Sequence, residues 1–195
     1  MQVVTPSSFL LLHGWENHRP APHWQRWLSL ELMARGHDVR YPQLPNADEP
    51  VRADWRAAAL ANLATLTEGP VTVICHSLSC LMWLHEQQSG SAPQVDRVVL
   101  VSPPAASFVL GRPAIADFAW YPVTGSSPLA IGAEDALLIA GDDDPYMPEG
   151  LAGIAPHVVA RPVSVPAGGH LIPATGYGPW PEMLDWCLGL PAFGG

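Results

Sequence analysis

The stretch Val71-Thr-Val-Ile-Cys75-His76-Ser77-Leu78-Ser79 decides the fold. Val71 to Cys75 is a short run of β-branched and apolar residues, introduced by Gly69-Pro70, without polar/apolar alternation. Runs of this kind are strands covered on both faces, as in parallel sheets. Leu78 to Gln88 then reads as a helix, leaving room only for a tight turn around Ser77. A serine at the tip of a strand–turn–helix needs small residues two positions to either side, and Cys75 and Ser79 are both small. The helix start brings backbone N–H groups and the positive end of its dipole next to Ser77.

The same rhythm extends in both directions. Phe9-Leu-Leu-Leu12 is a buried strand leading into a His13-Gly14-Trp15 turn. Residues 23 to 34 carry Trp24, Trp27, Leu28, Leu30, Leu32 and Met33 as a helix that stops at Gly36. Asp38-Val-Arg-Tyr41 is a second strand, ended by Pro42, and residues 52 to 66 place Trp55, Ala59, Leu63 and Leu66 at helical spacing. Beyond the central run come strands Arg97–Val101, Ala136–Ala140 and Arg161–Val165, then a helix from Trp180 to Leu188 with Pro181 near its start. Strands alternating with helices predict an α/β protein, with a three-layer, doubly wound sheet of about six parallel strands. Trp24, Trp27 and Trp186 are expected to pack against that sheet. Residues 103 to 135 read as the one long irregular piece, and such pieces tend to be functional or mobile.

Composition narrows the function classes. The chain has 195 residues, which suits one domain over 1–195, and 48% of them are apolar, which excludes disorder. Its net charge is -9, and all nine cations are arginines. The lysine absence reads as a coding bias. An acidic chain without a basic patch argues against nucleic-acid or anionic-membrane partners. Three cysteines without a CxxC pair fit a reducing compartment. The N-terminus lacks the basic start and apolar run of a signal peptide, and nothing approaches the uninterrupted apolar length of a membrane helix. Cytoplasmic localisation is the expectation.

In open α/β sheets ligands collect outside the carboxyl ends of the strands. Gly141-Asp142-Asp143-Asp144-Pro145 follows the fifth strand and Gly168-Gly169-His170 the sixth. With Ser77 these supply a nucleophile, an orienting acid and a base, in the chain order Ser, Asp, His. The residues alone leave the acid open among the three aspartates, two of which should be plain solvated turn residues. Ser77 could instead cap its helix. A calcium loop is disfavoured because the D-x-D-x-D-G pattern and its distal Glu are missing. His13, His18 and His23 recur every fifth residue and share no helix face, so no metal site is expected. His37, His85 and His157 are expected on the surface, and Cys75 and Cys80 as packing residues.

The chain resembles the small serine hydrolases of the α/β-hydrolase superfamily that include retinoblastoma-binding protein 9 and its bacterial relatives. The likeness rests on His13-Gly14-Trp15 with His23-Trp24-Gln25, Cys75-His76-Ser77-Leu78-Ser79-Cys80, Asp144-Pro145-Tyr146, and Gly169-His170 leading to Gly176-Tyr-Gly-Pro-Trp-Pro181. The resemblance implies an α/β-hydrolase fold with strand order 2-1-3-4-5-6 and no large lid. It also implies Ser77 as nucleophile, His170 as base and Asp144 as acid. The family usually has glycines where this chain has Cys75 and Ser79, which would narrow the acyl site. The oxyanion would lie against the N–H groups of Leu78 and Trp15. Of the segment holding Phe108, Phe118, Trp120 and Tyr121, the pair Trp120 and Tyr121 is expected to wall the substrate site, with core packing the equal alternative. The implied activity is cofactor-independent, metal-free hydrolysis of a small ester, thioester, lactone or amide by a monomer or homodimer. An acyl transferase or cyclase using the same residues, and a protein-interaction module with an incidental triad, are the alternatives.

Overall fold

The computed structural model describes residues 6–194. Six strands form one parallel sheet: β1 (Ser8–Leu12), β2 (Asp38–Arg40), β3 (Val71–His76), β4 (Arg97–Val101), β5 (Asp135–Gly141) and β6 (Arg161–Val165). Their spatial order is β2-β1-β3-β4-β5-β6, as the resemblance implied, with β1 and β3 at the centre of the reversal. Helices α1 (Trp24–Ala34), α2 (Arg52–Leu63), α3 (Leu78–Ser89), α4 (Ala106–Leu110) and α5 (Pro181–Cys187) complete the layers.

The continuous apolar strands split by parity into two cores, because successive side chains on a strand point to opposite faces. Leu10, Leu12, Val73, Cys75, Val98, Leu100, Leu138 and Ala140 face α2 and α3, where Trp55, Ala59, Leu81 and Leu84 meet them. Phe9, Leu11, Ile74, Val99, Val101, Leu137 and Ile139 face the other way, onto Trp24, Leu28 and Leu32 of α1 and Met183 and Trp186 of α5. Trp24 and Trp186 are fully packed there and Trp27 partly so, as expected.

Three local expectations are corrected. Residues 103 to 135 are not irregular: they hold α4, a 3-10 helix at Pro113–Phe118, and a strand, Leu129–Ala130, paired in parallel with Val158–Val159. The periodicity of α4 is hidden because one and a half turns are too short to show a repeat. β2 ends at Arg40, so Tyr41 leaves the sheet and packs beneath α1. His37 and His85 are not surface residues. His37 is buried edge-on against Phe9, and half-buried His85 reaches the carbonyls of Phe118 and Ala119. His157 is exposed. No helix among the described residues is long and apolar enough to cross a membrane.

Candidate active site

Three strand ends converge on one rim. β3 runs straight into Ser77, whose amide still bonds Val101 O at 2.8 Å, continuing the ladder with β4. Ser77 itself has φ 56° and ψ −122°, outside the regions an L-residue adopts without strain. That conformation reverses the chain at once into α3, whose first turn closes with Cys80 N–H bonded to Ser77 O. The hydroxyl is thereby lifted off the sheet and Ser77 makes no capping bond. Serine serves here as the tip of a turn, not as a helix cap.

Ser77 Oγ lies 2.9 Å from His170 Nε2, and His170 Nδ1 lies 2.8 Å from Asp144 Oδ2. The Asp144 side chain is fully buried, and its other oxygen accepts from Tyr146 N–H at 2.9 Å. Asp142 and Asp143 do different work on the same loop. They accept backbone N–H bonds from Ala167 and Gly169, lashing the loop after β5 to the loop that carries His170. The two loops also touch at Gly141, where a Cβ would sit 2.2 Å from Gly169 O. From below, His76 Nε2–H donates to His170 O at 3.1 Å, and Trp24 donates its indole N–H to Leu171 O.

The elbow lacks the glycines of the resembling family and closes by another route. Ser79 Oγ accepts from His76 N–H and lies 2.8 Å from Leu12 O and 2.9 Å from His76 O. One hydroxyl therefore joins the turn to the end of β1. Cys75 and Cys80 are fully buried, and burial pushes both thiols up, away from the thiolate form. Neither faces the reaction.

The turn after β1 closes the other side. Gly14 lies so near that a Cβ there would meet Ser77 Cβ at 2.7 Å, so only glycine fits. His13 is wholly buried; its Nε2 accepts the N–H of Leu44 and its Nδ1–H donates to Gly14 O at 2.8 Å. In a trans peptide the C=O and the following N–H point in opposite directions. Holding the Gly14 carbonyl thus fixes the direction of the Trp15 N–H. Neither Trp15 nor Leu78 donates its amide to a protein acceptor among the described residues. His13, His23 and His76 cluster near His170, and burial lowers His13 and His23 to about 4 and His76 well below its ordinary value. All three are neutral at physiological pH. Among the described residues no group of side chains is arranged to hold a metal ion.

A cleft of about 320 Å³ opens over Ser77, lined by Trp15 and Leu78 on one side and by Phe108, Arg112, Tyr146 and Ile172 on the others. Trp120 and Tyr121, expected as its walls, do not line it. They border a neighbouring hollow of about 460 Å³ that meets the cleft only at Pro104. The physical reason lies in the 3-10 helix, which buries Ile115 and Phe118 and carries the chain away from the serine before Trp120 is reached. The aromatic wall comes instead from Phe108 on α4 and from Tyr146. Tyr146 follows the Asp144-Pro145 pair so closely that its nearness could have been read from the sequence.

No curated protein matches the chain. In structure it is similar to the ydeN gene product from B. subtilis, with a TM-score of 0.74 at 22% identity, covering 95% of this chain and 98% of that one. A putative YdeN-like hydrolase from Pectobacterium atrosepticum gives 0.71 at 24% identity, covering 95% and 90%. The esterase domain of a Rhodothermus marinus protein gives 0.60 at 18% identity, covering 89% and 82%. These likenesses establish the α/β-hydrolase fold. The family model described as Serine hydrolase matches residues 9–187, nearly the whole chain, and the chain therefore belongs to the serine hydrolase family.

Proposed function

We propose that the protein cleaves a small ester, thioester, lactone or amide through an acyl-enzyme on Ser77, without a cofactor. The observation that carries this reading is the unbroken chain from a strained Ser77, 2.9 Å from His170, to the buried Asp144, 2.8 Å beyond it. His170 Nε2 takes the Ser77 proton as Oγ bonds to the acyl carbon, and returns it to the departing alcohol, thiol or amine. Asp144 accepts the Nδ1–H, fixes the tautomer and stabilises the imidazolium that forms. Water then repeats the cycle on the acyl-enzyme, with His170 again as base. The amides of Trp15 and Leu78 are the proposed oxyanion donors; removing one such donor typically costs roughly 10²–10³-fold in turnover.

Fluorophosphonate labelling tests the assignment. Wild type is expected to be labelled at Ser77 and Ser77→Ala not at all. Labelling of both to the same extent would move the nucleophile elsewhere, and an unlabelled wild type would remove the accessible serine altogether.

A further inference from the structure

The cleft over Ser77 contains one cation that the hydrolytic chemistry leaves unused. Arg112 follows α4 and lines the cleft together with Phe108, Tyr146 and His170. Arg35, Arg40, Arg56 and Arg97 each pair with a carboxylate; Arg112, like Arg19, Arg26, Arg52 and Arg161, pairs with none among the described residues, and of these it alone lines the cleft. Its guanidinium lies 3.5 Å from the centre of the Phe108 ring, and its Nη1 donates to Phe108 O at 2.8 Å. The planar fork is therefore held in place, while most of its N–H donors have no protein acceptor.

Phe108 continues the wall toward the serine. Its ring centre is 4.3 Å from that of Tyr146, which in turn lies 4.5 Å from the His170 ring. One side of the cleft thus reads, in order, imidazole, phenol, phenyl, guanidinium. The other charged residue lining the cleft is Glu16, on the exposed turn after β1, and buried His23 is neutral there. In a protein of net charge -9, Arg112 places a held positive charge at the far end of the cleft that contains the nucleophile.

We propose that Arg112 is a specificity-determining anion site. The substrate it selects is an acyl compound bearing a carboxylate or phosphate, separated from the scissile carbonyl by an apolar spacer that lies along Tyr146 and Phe108. The proposal rests on Ser77 being the nucleophile. Charge-assisted pairing of a held guanidinium with an oxyanion is strong enough to select such substrates from neutral analogues of equal length.

Matched 4-nitrophenyl esters test it: an octanoate against the half-ester of octanedioic acid, and against an acyl chain of the same length ending in phosphate. Wild type should favour at least one anionic ester by about tenfold or more in kcat/KM, mainly through KM. Arg112→Gln should bring the ratio of anionic to neutral kcat/KM down to about one, whatever its absolute rate on the neutral ester, and Arg112→Lys should keep part of the preference. The arm that shows the preference identifies carboxylate or phosphate. Equal rates on all three esters in wild type, or a preference that survives in Arg112→Gln, would overturn the proposal. If none of the three turns over, protection of Ser77 from fluorophosphonate by octanedioate and octyl phosphate replaces the rate. Protection of wild type but not of Arg112→Gln supports the site, and equal or absent protection overturns it. Failure of labelling itself counts against the nucleophile and not against Arg112.

Discussion

Ser79 stands where the resembling family carries a glycine, and its hydroxyl accepts from His76 N–H while its single proton lies between Leu12 O and His76 O. The substitution of glycine by serine thus places a polar staple under the elbow where a close approach would otherwise need no side chain. Ser79→Ala leaves the buried His76 N–H without its acceptor, whereas Leu12 O keeps the Gln25 amide, and unfolding stability should fall by about 1–3 kcal/mol in urea denaturation. An unchanged midpoint would show that the staple is idle. The three aspartates separate in the same way. Asp144→Asn should reduce kcat by about 10⁴-fold, because an amide NH₂ facing His170 Nδ1 favours the wrong tautomer. Asp143→Asn should leave kcat nearly intact, since the side-chain carbonyl can still accept Gly169 N–H. A larger loss from Asp143→Asn than from Asp144→Asn would contradict the assignment.

Among the elements, α5 is secured from outside its own apolar face. Arg97 on β4 donates Nε–H to Asp135 on β5 and Nη1–H to Trp186 O, and its guanidinium stacks 3.4 Å from the centre of the Trp186 ring. One side chain therefore joins two strands to a helix of only seven residues. Arg97→Ala should destabilise the protein by about 1–3 kcal/mol and raise amide exchange first in α5. Exchange rising uniformly over the sheet would refute this local role. Strand β6 shows how far element reading goes: Pro162 would be excluded from a central strand, yet β6 is an edge strand pairing only with β5. The strands were legible because their apolar runs are long and bounded by glycine and proline. α4 was not, since five residues carry no period, and with it the aromatic wall was misplaced from Phe108 and Tyr146 to Trp120 and Tyr121.

At the scale of the whole molecule, the buried histidines set a pH dependence. His13 and His23 are lowered to about 4 and His76 well below its usual value, in each case chiefly by burial. In the unfolded chain they titrate near 6.5. Between those values the unfolded state binds protons that the folded state refuses, so stability rises with pH and is lost on acidification. Each group contributes up to about 1.4 kcal/mol per pH unit in that window. Urea midpoints should therefore fall steadily from about pH 7 to about pH 5, and a flat or rising profile would show that these rings are not held neutral.

By itself the sequence determined the layer architecture, the strand order that its family resemblance carries, and the positions of Ser77 and His170 at strand ends. The layers and the strand-end positions follow from local facts: apolar run length, breakers, and small residues beside a serine; the strand order comes only with the resemblance. Residue types and spacing left the three adjacent aspartates unseparated, because neighbours on a loop point in different directions; the resemblance named Asp144, and it is Asp144 that the tertiary structure turns to His170. The tertiary structure also made His13 the brace that aims the Trp15 N–H. Arg112 came to face the cleft for the same reason. Its place depends on α4 and the 3-10 helix folding back over the strand ends, which pairs residues far apart in the chain and leaves no local pattern to read.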